Sequence, residues 1–268
     1  MLTTHESWVF DGYKPKLRIY QDMFNPDVSD MVALLDGIRA FIEPSYVRVD
    51  ADSRLNYGRD WTRLYAPNPR AVVLPGTGEQ VQQLVRYANE YRLSLVHSCG
   101  RTGLSGAAVA CRGEIVVSLD RLNRILDFDP VDQSVTCQAG TVTEVVQNFA
   151  RDQGLYYPVD FASRGSSQIG GNIATNAGGI KVVRYGLTRD WVTGLKVVTG
   201  RGDLLDLNRG LIKNASGYDL RHLFVGSEGT LGIIVEATLK LTRPLREPSV
   251  MVLGVPDVDA IMRIYCLF

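Results

Sequence analysis

The sequence predicts an α+β fold in two lobes, and three observations carry the prediction. Apolar strand patterns flank one amphipathic helix over residues 71–97. A hairpin and a long alternating strand occupy residues 195–242. Between and around them, glycine collects in a few short segments instead of punctuating every turn. With 268 residues, 45% of them apolar and 22% charged, the chain has enough apolar material for one or two domains with a full core. Lys+Arg and Asp+Glu number 29 each and the pI is near 6.8, so there is no general attraction to nucleic acid or to an anionic membrane. A small-molecule ligand is the expectation that remains. Cys99, Cys111, Cys137 and Cys266 show no CxxC or Cys/His spacing, and the N-terminus MLTTHESWVFDGYK has no apolar signal region, which points to a reducing, cytoplasmic setting. No stretch approaches the roughly 20 apolar residues of a membrane span.

Residues 1–66 read as an N-terminal helical and irregular arm. A helix is expected over 27–41, with Met31, Leu34, Leu35, Ile38 and Phe41 on one face, followed by an irregular polar stretch through Tyr57, Trp61 and Tyr65. Pro67-Asn68-Pro69 marks a boundary, and the domain beyond it is expected to run over 67–245, in lobes of about 67–138 and 139–245. In the first lobe, 71–75 is a buried-type strand, Thr77 and Gln80 form a capping box, and Val81, Leu84, Val85 and Ala88 stripe a helix that leads to a strand at 93–97. The Gly100–Gly106 loop leaves the far end of this βαβ unit, where α/β folds place ligands. Strands are expected at 114–119, 125–128 and 134–138, and a helix at 143–151 closed by Gly154. Strands at 195–199 and 204–207 make a hairpin around residues 200–203, and 230–242 is a long strand. A further strand at 249–255 and a helix starting at Pro256-Asp257 follow. Residues 246–268 are therefore expected to be only the truncated start of another, substrate-binding cap domain.

Residues 97–108, 165–179 and 226–232 hold eleven of the 26 glycines. Gly lacks the Cβ that keeps a backbone away from a ligand, so such clusters suggest main-chain N–H groups converging on a phosphate. A nicotinamide site at Gly76-Thr77-Gly78 fails, because Val81 replaces the third glycine of GxGxxG and no acid ends the next strand. An N-cap in a tight turn explains that segment. Gly100, Gly103 and Gly106 recur at intervals of three with Arg101, Thr102 and Ser105 among them, a donor set suited to a diphosphate, although alone they would also suit a flexible surface loop. Over 163–179, Ser163, Ser166, Ser167, Gly170, Gly171, Thr175, Asn176, Gly178 and Gly179 alternate with Ile169, Ile173 and Ala174, a pattern that suits a backbone laid flat against a large planar ring.

Residues 67–245 resemble the FAD-binding (PCMH-type) domain of the vanillyl-alcohol-oxidase flavoproteins. They are most similar to the FAD-linked oxidase branch of glycolate oxidase flavoprotein subunits, D-lactate dehydrogenases and D-2-hydroxyglutarate dehydrogenases. AVVLPGTGEQVQQLVRYANE, GRTGLSGAA, PVDFASRGSSQIGGNIATNAGG, RYGLTRDWVTGLKVV and GSEGTLGIIVEATLKL carry the likeness. It implies a diphosphate loop of Gly100, Arg101, Thr102, Gly103, Leu104 and Ser105. It further implies a flavin and ribityl lining of Pro158, Asp160, Ser163, Gly170, Gly171, Thr175, Asn176 and Gly178, and an adenosine side or ring edge at Glu228, Gly229, Ile233 and Ile234. Tyr185, with Arg184 and Arg189, stands beside the second cluster as a candidate to meet the flavin or an anionic substrate. Two departures stand out: Cys99 occupies a position where relatives usually show Gly, and the loop carries no His of the kind to which some members attach FAD. Non-covalent FAD is therefore expected. His5 falls near the terminus, His222 reads as a helix-surface residue, and His97 ends a strand in a structural role. No metal-ligand spacing is present, and no catalytic residue is assigned.

The resemblance implies oxidation of a D-2-hydroxy acid (lactate, glycolate or 2-hydroxyglutarate type) to the 2-oxo acid by hydride transfer to flavin N5, with electrons passed to a quinone, cytochrome or electron-transfer flavoprotein. In such proteins the base and the carboxylate clamp come mainly from the cap domain and beyond, so little turnover is expected of these residues alone. A non-catalytic flavin-binding remnant or partner subunit, and a nucleotide-binding module without flavin, remain the alternatives.

Overall fold

The computed structural model describes residues 28–268 apart from Arg209, Ile212, Glu247, Pro248 and Phe268; Asp27 and His5 therefore lie outside the described residues. Helix α1 (Val28–Arg39) buries Met31, Leu34, Leu35 and Ile38, the stripe that its 3.6-residue period requires, while Phe41 follows the helix and packs on Tyr87. A 3-10 turn (Pro44–Tyr46) leads into β1 (Val47–Arg48) and helix α2 (Ala51–Tyr57), which Asp50 caps by accepting from the Ser53 N–H at 2.8 Å. The arm is thus partly built into the domain: β1 pairs antiparallel with β2 (Ala71–Val73).

Helix α3 (Gly78–Glu90) follows β2 and buries Val81, Leu84, Val85 and Ala88. Thr77 caps it, but the expected reciprocal bond is displaced by one residue. The Gln80 side chain accepts from the Gly76 N–H at 2.7 Å and donates to the Phe41 carbonyl at 3.0 Å, spending its amide on tying α1 to α3. Strands β3 (Leu95–Ser98) and β4 (Ile115–Ser118) complete a sheet of order β1-β2-β4-β3, in which β2, β4 and β3 run parallel. The second sheet is antiparallel and ordered β5-β6-β9-β7-β8, from β5 (Ile125–Asp129), β6 (Ser134–Gln138), β7 (Val192–Thr199), β8 (Leu204–Leu207) and β9 (Gly232–Lys240). The expected division of the lobes near residue 138 is corrected by this pairing. β5 and β6 belong to the second sheet, because Ser134 and Gln138 are in register with Lys240 and Glu236, partners too distant along the chain for a local pattern to reveal.

Helix α4 (Thr143–Asp152) ends as expected, with Gly154 at φ +70° just beyond it. The second glycine cluster contains a short helix, α5 (Ile169–Ala174). Ile169 and Ile173 stand one helical turn apart and are both fully buried, which is why the apolar residues recur there. Helices α6 (Val182–Tyr185), α7 (Arg221–Phe224) and α8 (Val258–Tyr265, capped by Asp257) complete the described elements. No strand forms over 249–255: Val250 and Val252 are each 91% exposed and pair with neither edge of the second sheet. One continuous core runs from Met31 through Ile115 and Ile173 to Leu239 and fastens the two sheets together.

Candidate functional site

The three glycine-rich segments meet. A cleft of about 580 Å³ opens between the sheets, and its wall includes the loop from Cys99 to Ala108, residues of the 161–178 stretch, and Glu228, Gly232 and Ile234. The first segment leaves the carboxyl end of β3, the second surrounds α5, and the third precedes and enters β9. Direct bonds hold them together. The Glu228 N–H donates to the Ala174 carbonyl at 2.8 Å, the Gly226 N–H to the Ile173 carbonyl at 3.0 Å, and the Ser105 hydroxyl to the Glu228 carboxylate at 3.4 Å. Gly100 lies so close to the second segment that a Cβ there would stand 2.3 Å from the Ser166 carbonyl oxygen.

Among the expected site residues, the wall contains Gly100, Arg101, Thr102, Gly103, Leu104, Ser105, Ser163, Gly170, Gly171, Thr175, Asn176, Gly178, Glu228 and Ile234. Pro158, Asp160, Tyr185, Gly229 and Ile233 fall outside it. Pro158 and Ile233 are buried beneath it, the latter paired with Val198 in the sheet. Asp160 is taken up by Lys181 at 2.7 Å and Arg164 at 3.3 Å; burial pushes its carboxyl up, but these bonds outweigh that and hold it below the usual range. Tyr185 packs edge-on between Tyr156 and Trp191, and its carbonyl accepts from the Trp191 indole.

Arg101 lines the cleft, yet its guanidinium is already engaged. It sits 4.6 Å over the Tyr57 ring, donates to the Cys99 carbonyl at 2.9 Å and reaches the Asp120 carboxylate at 3.4 Å. Asp120 also accepts from the Gln168 amide at 2.9 Å, so one carboxylate joins the first segment to the second and leaves the Gln168 carbonyl oxygen buried without a partner. Main-chain donors are among those left over. The N–H groups of residues 101–105 have no acceptor among the described residues, and they stand together on the cleft wall. Much of the polarity of the second segment is spent internally. Ser167 and Asn172 bond the Thr143 hydroxyl, Thr175 donates to the Gly171 carbonyl, and the Asn176 side chain accepts from the Arg189 N–H.

Asp60, His97, Leu119, Phe161, Gln168 and Asn172 also line the cleft; His97, Gln168 and Asn172 lie within the glycine-rich segments without having been expected as ligand-binding residues, and Asp60, Leu119 and Phe161 lie outside those segments. His97 is the penultimate residue of β3, which runs to Ser98 and not to His97 as expected, and that strand end opens into the site. Its imidazole meets Gly229 by the Nε2 edge: a Cβ there would stand 1.5 Å from Nε2. Burial lowers the His97 pKa and holds the ring neutral. Burial likewise pushes the Cys99 thiol up to about 12, making it a packing residue and not a nucleophile. His222 is exposed, beside Asp219 and Arg189, away from the cleft. Among the described residues no group of side chains is arranged to hold a metal ion, and no helix is long and apolar enough to cross a membrane.

Comparison with known proteins agrees with this geometry. The FAD binding domain family matches residues 69–208. A D-2-hydroxyglutarate dehydrogenase of Stutzerimonas stutzeri is 60% identical over 236 residues, covering 88% of this chain and 51% of that protein. The chain thus spans about half the length of the curated relatives it matches. Among solved structures, alkyldihydroxyacetonephosphate synthase superposes with a TM-score of 0.71 at 26% identity, covering 79% of this chain and 40% of that one. p-Cresol methylhydroxylase superposes with a TM-score of 0.70 at 20% identity, covering 81% and 44%, which shows the same fold.

Proposed function

The chain belongs to the FAD binding domain family, and from that premise we propose that it carries the FAD site of a flavin-dependent dehydrogenase acting on a D-2-hydroxy acid, D-2-hydroxyglutarate in particular. One observation supports this most: three glycine-rich segments line one cleft, with the main-chain N–H groups of residues 101–105 unclaimed on its wall. The cleft volume, about 580 Å³, suits a cofactor, and the donor set suits two phosphates. Residues 101–105 would hold the diphosphate, and Gly170, Gly171, Ala174 and Ile234 would line the flavin side. Bound FAD supplies the oxidant for the carbon bearing the substrate hydroxyl. The chain's own part is to bind it, orient it and shield one face from water.

The FAD is held without a covalent bond. The loop offers no histidine, and at His97, the histidine of the cleft wall among the described residues, Nε2 is covered by Gly229. Acid precipitation of the loaded chain should leave the yellow colour in the supernatant. The unpaired cysteines suit a cytoplasmic setting, and a quinone, a cytochrome or an electron-transfer flavoprotein would take the electrons.

A second reading, FAD binding without turnover by these residues alone, is favoured by the charge of the wall. Its only cation among the described residues is Arg101, and that guanidinium is tied to Asp120 and Tyr57, leaving no other there to receive a substrate carboxylate. Titration of the purified chain with FAD, followed by flavin fluorescence, tests the common premise; the absence of saturable binding sinks both readings. Anaerobic D-2-hydroxyglutarate then separates them, since bleaching of the bound flavin means dehydrogenase and an unchanged spectrum with every D-2-hydroxy acid means binding alone.

A further inference from the structure

Resting on the FAD reading above, we infer that the arm before the matched domain is part of the cofactor site, with Asp60 as the positioning residue that sets the shape of the diphosphate loop. The family match begins at residue 69, yet three contacts from residues 58–61 hold the loop. The Ala110 N–H donates to the Gly58 carbonyl at 2.9 Å, the Trp61 N–H donates to the Gly103 carbonyl at 3.3 Å, and the Gly106 N–H donates to Asp60 Oδ2 at 3.1 Å. The last two bracket the turn through Leu104 and Ser105, whose N–H groups are among those left free.

Asp60 is 4% exposed and its two oxygens face different ways. Oδ1 accepts from the N–H of Thr62 at 3.0 Å and from its hydroxyl at 2.7 Å, closing a turn within the arm, while Oδ2 reaches the loop alone. A carboxylate in the wall of an anion site is electrostatically wrong for binding. Its presence is explained if the directional bond to Gly106 is worth more than the repulsion costs. By holding that N–H and leaving the carbonyl of Gly103 on Trp61, the arm keeps the intervening N–H groups turned toward the cleft.

Asp60→Asn separates geometry from charge. The Asn oxygen keeps both bonds from Thr62, so the arm turn survives, and the new NH₂ faces the Gly106 N–H, donor against donor. Binding of FAD, ADP and riboflavin to the full chain is measured by fluorescence and calorimetry. Positioning predicts that D60N weakens FAD and ADP about tenfold or more, as expected for losing a hydrogen bond to a charged group, with riboflavin changed less than about twofold. Thr62→Val, which cuts only the arm side, should leave all three within about twofold. Equal or tighter FAD and ADP binding by D60N overturns the inference, as does equal weakening of riboflavin. A wild-type chain that binds no FAD overturns the underlying reading as well. Should D60N not fold, amide hydrogen exchange on the wild-type chain decides. The Gly106 N–H should be protected before ligand is added and residues 102–105 only after ADP; a uniform change over 102–106 counts against the role of Asp60.

Discussion

His97, on the cleft wall, and Gly229, behind it, are in tight contact, and each constrains the other. A methyl group at Gly229 would collide with the imidazole, and φ +78° already strains any side chain there, so Gly229→Ala should destabilise the chain by about 2 kcal/mol or more in urea unfolding. Adding His97→Ala should recover the part due to the collision and leave the part due to the backbone. Burial lowers the His97 pKa, so below its ordinary value near 6.5 the unfolded chain gains a proton that the folded chain refuses. The contribution of a neutral His97 is complete above about pH 6.5 and falls as the pH drops toward the folded pKa. Urea midpoints should therefore decline from about pH 7.5 to pH 5.5 in the wild type and decline less in His97→Gln; parallel curves would disprove the assignment. The sequence placed His97 at a strand end but not against Gly229, because the pair is separated by more than a hundred residues and meets only through tertiary packing.

The same division holds for whole elements. Helix α3 and the β7–β8 hairpin were legible, since each is fixed by local signals: the Thr77 cap and apolar stripe in one, and two largely apolar runs around the turn residues 200–203 in the other. Their contact was not legible. Gln82 and Arg86 donate to the Gly202 carbonyl at 2.8 and 3.1 Å, and Asn89 donates to the Gly200 carbonyl at 2.8 Å, so a helix of the first sheet grips a turn of the second on the side away from the cleft. Arg86→Ala with Asn89→Ala should cost about 1–3 kcal/mol of stability. It should also weaken FAD binding, although neither residue lines the cleft, because the grip sets how far apart the sheets stand. Unchanged affinity in a destabilised variant would show that the cleft width is fixed elsewhere. The strand expected over 249–255 does not form for the complementary reason: an apolar run makes a strand only where an edge receives it.

For the whole molecule, a ligand that bridges both sheets must stabilise their union. At a hundredfold excess over Kd, FAD should add about 2.7 kcal/mol to the unfolding free energy, and ADP at the same multiple should do the same. Calorimetric midpoints that ignore FAD would mean that the cleft is not its site. The three glycine segments announced this cleft because close backbone approach demands a local composition, whereas Asp60 and Gln168 are ordinary residues made important by what they face. The sheet order carries a consequence in time. Strand β9 lies at the centre of its sheet although it is the last strand along the described residues, so a growing polypeptide holds β6 and β7 with bare edges until residue 240 has emerged. Glu228, Gly232 and Ile234 arrive with that strand, so the cleft wall is incomplete in any nascent chain whose synthesis has not passed it, and until then the strand edges stand open to wrong partners.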